Sequence, residues 1–106
     1  MSKFTLADLA DRVHERAKAS AKDSYTRALI DKGVDHCAKK LGEEAIETVM
    51  AAVQEDKRRL VAEAADLLYH LLVVMEARGV TLAQVEAELE KRTAQSGHEE
   101  KASRLS

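Results

Sequence analysis

The residues best suited to chemistry in this chain are acidic and closely spaced. In the stretch KKLGEEAIETV, Lys39–Val49, three glutamates (Glu43, Glu44 and Glu47) crowd into a segment that otherwise has helical apolar periodicity. Like charges at helical spacing destabilise an isolated helix by about 0.2–0.5 kcal/mol per pair. Gly42 beside them adds a cost of about 1 kcal/mol relative to alanine. At about 100° per residue, Glu44 and Glu47 lie about 60° apart on one edge of the helix, next to its apolar arc, with Glu43 further round. A second pair, Glu63 and Asp66, repeats the spacing at the start of the run DLLYHLLVVM, and His70 continues the stripe one turn later. A single acidic pair is ordinarily a solvated face. A second one in so apolar a helix points to a metal site.

The short connection around Glu55–Lys57 makes the two acidic helices antiparallel neighbours, so Glu44, Glu47, Glu63 and Asp66 can converge at one edge of a bundle core. Like charges that are partly buried need compensation, and a hard divalent cation with oxygen ligands supplies it. Magnesium is the expected ion, with manganese as a substitute. Di-iron bundles want a histidine three residues after glutamate on two helices, whereas those positions hold Glu47 and Asp66. Magnesium shares its coordination with substrate phosphates, so the residues point to phosphate-ester or nucleotide processing. The chain has no Walker-type glycine loop, which leaves the metal and basic side chains to hold the phosphates. Lys40, one turn before Glu44, either contacts a phosphate or forms an i, i+4 salt bridge.

The elements that must position these residues are all helical. There is no proline, and no segment alternates with the two-residue period of a strand. Thr5 with Asp8 starts a first helix whose stripe is Leu6, Leu9, Val13 and Ala17. Ser24 or Asp23 starts a short segment that stops at Gly33. From Val34 to about Glu55 a long helix carries Val34, Ala38, Leu41, Ala45, Val49 and Val53 on one arc. Gly42 within it is expected to permit close approach of another helix. A further helix, from about Lys57 to Arg78 with a stop at Gly79, is apolar on nearly every side and is expected to be buried all round. Thr81 and Gln84 cap a last helix whose Leu82, Val85 and Leu89 face inward. The expectation is an all-α bundle of four to five helices over residues 1–92, followed by a polar tail, 93–106.

With 106 residues, 45% hydrophobic and 34% charged, the chain suits one domain. A domain this small buries a modest share of its surface, so packing against a second copy, a homodimer, is expected. A formal net charge of −2 offers no footprint for nucleic acid or an anionic membrane. The lone Cys37 excludes an internal disulfide and fits a reducing cytoplasm. The beginning of the chain lacks the apolar core of a secretory signal. The longest apolar stretch, Leu67–Met75, is interrupted by Tyr69 and His70 and falls far below the ~20 residues that span a bilayer. A cytoplasmic protein is expected.

The segments EEAIE and EAAD resemble the EExxE and ExxD signature of the all-α nucleoside triphosphate pyrophosphohydrolases related to MazG. DSYTRALIDKG, KKLGEEAIE, EAADLLYHLLVVM, VEAELEKR and SGHEEKASR extend the resemblance, over nearly the whole chain, to the phosphoribosyl-ATP pyrophosphohydrolase family of histidine biosynthesis. The resemblance implies a MazG-like bundle completed by homodimerisation. It also implies magnesium-dependent hydrolysis of phosphoribosyl-ATP to phosphoribosyl-AMP and pyrophosphate, the second step of that pathway. On the family's pattern Glu44, Glu47, Glu63 and Asp66 ligate magnesium, and Glu43 stands behind them or orients the attacking water. Ser24, Tyr25 and Thr26 match the family's SYT segment and would close over the substrate, although a helix cap with a packed tyrosine accounts for them equally. His70 either bonds a phosphate or is a buried histidine satisfied by a neighbouring helix. The resemblance also has the tail order over the substrate through Lys101 or Arg104. Two other readings stay open: a housecleaning (d)NTP pyrophosphohydrolase of the same superfamily, and a non-enzymatic helical dimerisation module.

Overall fold

The computed structural model describes residues 3–94. Among them are five α-helices and no strand: α1 (Leu6–Arg16), α2 (Tyr25–Asp31), α3 (Val34–Val53), α4 (Lys57–Arg78) and α5 (Leu82–Thr93). The all-α expectation holds. Lys101 and Arg104, assigned to the tail, lie outside the described residues.

Local chemistry accounts for the boundaries. Thr5 and Asp8 exchange side-chain-to-backbone hydrogen bonds of 3.0 and 3.1 Å, a capping box that starts α1, and Thr81 with Gln84 does the same for α5. The Ser24 and Asp56 side chains accept from the third backbone N–H of α2 and α4. Gly79 closes α4 in the left-handed region at φ 72°, with Val80 N–H donating to Met75 O at 2.9 Å. Gly33, between α2 and α3, stands at φ 102° and ψ 162°, an extended positive-φ conformation that in practice only glycine adopts.

The core gathers Val13 of α1, Leu29 of α2, Cys37 of α3, and Leu72, Val73 and Met75 of α4, with Leu82 and Val85 of α5 packed against it. It lies around the second half of α4. The most extensive helix contact is between α3 and α4, which run antiparallel through the short link at Gln54–Asp56. Beyond the reach of α1, α2 and α5 this pair forms an arm with little cover. Val53 and Val61 are 75% and 72% exposed there, and Ile46 and Val49 are exposed beside them.

Three sequence expectations are corrected. The fourth helix is not buried all round: Val61, Leu68 and Leu71 are exposed, because among the described residues the other helices leave their side uncovered. Leu89 of α5 is 55% exposed instead of facing inward, since α5 meets the core only through its first turns. Gly42 is exposed, and outside its own helix no heavy atom of the described residues lies within 4 Å of where a Cβ would stand. The close approach expected at this glycine is not made among the described residues.

Candidate metal centre

The side of α3 that meets α4 is a mixed stripe. Cys37 and Ala51 are buried on it, and Glu44 and Thr48 lie between them. From the facing side of α4 come Glu63 and Asp66. Glu44, Glu63 and Asp66 each offer a carboxylate oxygen, and the three oxygens lie within 4.8 Å of one another. Glu44 and Glu63 are half-buried and Asp66 is exposed. Two magnesium ligands across one ion stand at most about 4.2 Å apart. The cluster is therefore nearly tight enough for such an ion, and side-chain torsions can close the rest.

Thr48 fixes the backbone beneath this cluster. Its Oγ1 lies 2.8 Å from Glu44 O and 3.1 Å from Glu63 O, so one hydroxyl, donating to carbonyls on both helices, ties two of the carboxylate residues together. His70 lies one turn beyond Asp66 and is buried. Its Nδ1 has no hydrogen-bond partner among the described residues, so a histidine satisfied by a neighbouring helix is not what forms at that nitrogen. Burial pushes the imidazole pKa down, opposed chiefly by the negative charge of Glu44. An all-oxygen donor set beside an orphaned imidazole nitrogen fits a hard divalent cation carrying waters and phosphate.

The other residues singled out from the sequence fall around this centre or away from it. Glu47 does not join the cluster: its Oε2 pairs with Arg59 Nη2 at 2.8 Å. Glu43 is exposed and pairs with Lys40 at 3.4 Å, so the lysine salt bridge is made at i, i+3 and not with Glu44. Ser24 is fully employed as a cap: its Oγ accepts from Arg27 N–H and donates to Arg16 O at 2.8 Å. Thr26 is buried, with its hydroxyl 2.6 Å from that of Tyr69. Tyr25 is exposed and lies nearly parallel to Tyr69, ring centroids 6.5 Å apart. Burial raises the Tyr69 pKa, with the Thr26 hydrogen bond acting against it.

Thr48 and Arg59 were missed in the sequence. Arg59 had a signal, since it precedes Glu63 by four residues and so lies on the acidic stripe of its helix. Thr48 had none, because a threonine one position after a charged edge is ordinary on any helix. A cleft of about 520 Å³ does exist, between α1, the end of α4 and α5, where His14 Nδ1 meets Glu76 Oε1 at 2.7 Å. None of the three clustered carboxylates lines it.

Fold and donor set together define a class: an all-α chain of the MazG-like kind, in which EExxE and ExxD segments face each other across an antiparallel helix pair. A family model described as phosphoribosyl-ATP pyrophosphohydrolase matches residues 6–93, and the chain belongs to that family. It is 61% identical over 104 residues to phosphoribosyl-ATP pyrophosphatase 1 of Bradyrhizobium diazoefficiens, covering 98% of each chain. To the phosphoribosyl-ATP pyrophosphatase of Azorhizobium caulinodans it is 61% identical over 102 residues, covering 96% of this chain and 94% of the relative. To that of Rhizobium rhizogenes it is 59% identical over 104 residues, covering 98% of this chain and all of the relative.

Proposed function

We propose that this protein hydrolyses phosphoribosyl-ATP to phosphoribosyl-AMP and pyrophosphate, the second step of histidine biosynthesis, as a magnesium-dependent cytoplasmic homodimer. Membership of the family supports the substrate. The observation that carries the chemistry is the meeting of Glu44, Glu63 and Asp66 oxygens within 4.8 Å across two helices. Magnesium, or manganese in its place, would offset phosphate charge there and acidify a water.

Glu44, Glu63 and Asp66 would hold the ion, and Glu47, one turn after Glu44 on α3, is the fourth carboxylate of the two acidic pairs. Lys40 offers its ammonium to a phosphate at the Glu43 end of the cluster. In the reaction a water oxygen bonds to the α-phosphorus, and the bridge to the β-phosphate breaks with its electron pair leaving on pyrophosphate. The proton of the water passes to a carboxylate, for which exposed Glu43 is the candidate. His70 bounds the site on its buried side, its unpartnered Nδ1 enclosed within the fold. Ser24 and Thr26 act through structure, as cap and as partner of Tyr69, while exposed Tyr25 is the member of that segment free to meet the substrate.

The α3–α4 arm supports the homodimer, since Ile46, Val49 and Val53 on one stripe of α3 and Val61 of α4 are apolar and exposed. No helix among the described residues is long and apolar enough to cross a membrane.

The test is pyrophosphate release from phosphoribosyl-ATP beside a panel of nucleoside and deoxynucleoside triphosphates, with magnesium or EDTA, for wild type, Glu44→Gln and Glu63→Gln. The expected outcome is preference for phosphoribosyl-ATP, abolished by EDTA and lowered at least about a hundredfold by either substitution. Preference for a deoxynucleotide would move the protein to nucleotide housecleaning. A folded protein that turns over nothing would return it to a dimerisation module.

A further inference from the structure

The four carboxylates of the two acidic motifs are not equivalent in the structure. Glu44, Glu63 and Asp66 converge, whereas Glu47 is held by Arg59 at 2.8 Å. Arg59 is itself well placed. Its backbone N–H donates to Asp56 Oδ1 at 3.1 Å, which fixes it in the first turn of α4, and its Nη1 donates to Gln54 Oε1 at the end of α3. Glu63 follows four residues later, so Arg59 stands one turn from the cluster on α4, as Glu47 does on α3. At the other end of the cluster Lys40 is held by Glu43 at 3.4 Å. The three carboxylates are thus bracketed by two cations, each occupied by a glutamate of the EEAIE segment.

A guanidinium and a divalent cation compete for the same carboxylate oxygens. The Glu47–Arg59 pair is weak enough to lose that competition, because its side chains are 48% and 34% exposed and such pairs are readily broken. Once Glu47 is withdrawn, Arg59 keeps only Gln54 and presents its remaining N–H donors beside the centre. A planar fork of donors matches a phosphate.

We propose that Arg59 is the exchange partner of Glu47: it holds this carboxylate while the centre is free of metal, releases it when metal binds, and then contacts a phosphate of the substrate. This rests on the metal centre proposed above. Arg59 is accordingly a positioning residue toward the metal and a binding residue toward the phosphate chain. No covalent bond is made or broken in the exchange.

Mn²⁺ binding, followed by the electron paramagnetic resonance of the free ion, tests the first half in wild type, Arg59→Gln, Glu47→Gln and the double variant. Arg59→Gln is expected to bind Mn²⁺ about two- to fivefold more tightly than wild type, the factor that freeing an exposed pair allows. In the Glu47→Gln background the same substitution is expected to change nothing. Inorganic pyrophosphate, titrated at saturating Mn²⁺, tests the second half: Arg59→Gln should bind it about tenfold more weakly, with Arg59→Lys between the two. Tightening that persists undiminished without Glu47 would make Arg59 a nearby charge and nothing more, and overturn the exchange. Unchanged or weaker Mn²⁺ binding in Arg59→Gln would overturn it as well. Unaltered pyrophosphate affinity would remove the phosphate contact. Failure of wild type to bind Mn²⁺ would sink the metal centre together with this inference. Binding that Glu44→Gln abolishes, without coupling between Arg59 and Glu47, would sink this inference alone.

Discussion

Thr48 Oγ1 sits between the carbonyl oxygens of Glu44 and Glu63, so the register of the two acidic motifs depends at this point on one shared hydroxyl proton. Replacing it by an isosteric methyl removes the link without making a cavity. Thr48→Val is expected to lower stability by about 1 kcal/mol, the usual net worth of one hydrogen bond. It should also weaken Mn²⁺ binding, whereas Thr48→Ser keeps both properties. Urea unfolding and metal titration of the two variants check this. A second residue-scale expectation concerns alkaline pH. Burial raises the pKa of Cys37 above 9.0 and that of Tyr69 above 10.0. Below those ordinary values both states hold their protons and the full stability is present. Above them the unfolded chain ionises first, so stability falls as pH rises toward the folded-state values. The urea midpoint should therefore be flat to about pH 9 on account of these groups and decline beyond it, and Tyr69→Phe should lessen the decline.

At the scale of elements, the helix ends are set by local chemistry and were legible. The Thr5–Asp8 and Thr81–Gln84 boxes, the Ser24 cap and the stop at Gly79 involve residues a few positions apart, whose hydrogen bonds form without help from the rest of the fold. Gly79 has open space around the position of a Cβ but stands at φ 72°, so the cost of a side chain there is conformational and not steric crowding. Gly79→Ala is expected to destabilise by about 1–2 kcal/mol, read as a lower urea midpoint with an unchanged slope. The direction in which each helix turns its faces was less legible. The arc through Val49 and Val53 has clear periodicity, yet the stripe that α3 presents to α4 runs through Cys37, Glu44, Thr48 and Ala51. Periodicity reports which residues prefer cover and says nothing of which neighbour supplies it.

At the scale of the whole molecule, the radius of gyration is 15.9 Å, against about 13 Å for a compact chain of this length. A second copy packed against the arm of α3 and α4 would cover the exposed Ile46, Val49, Val53 and Val61. A wild-type dimer in sedimentation equilibrium, with a melting temperature that rises with concentration, is the expected behaviour. Val53→Lys combined with Val61→Lys should shift the equilibrium to monomer. A monomeric wild type at micromolar concentration would contradict the dimer.

The sequence by itself determined the helices, their caps, the two acidic pairs and the likeness to the family, because each is written in residues near one another along the chain. The tertiary structure decided which carboxylates meet. Helical phase places Glu44 and Glu47 on one edge equally well, but the side chain across the gap differs: Glu44 faces Glu63 and Asp66, while Glu47 faces Arg59. A glutamate opposite two carboxylates becomes part of an acidic cluster, and one opposite a guanidinium becomes half of an ion pair. That difference arises from the register of two antiparallel helices, which the Gln54–Asp56 link and the Thr48 hydrogen bonds fix, and which no spacing along a single helix contains.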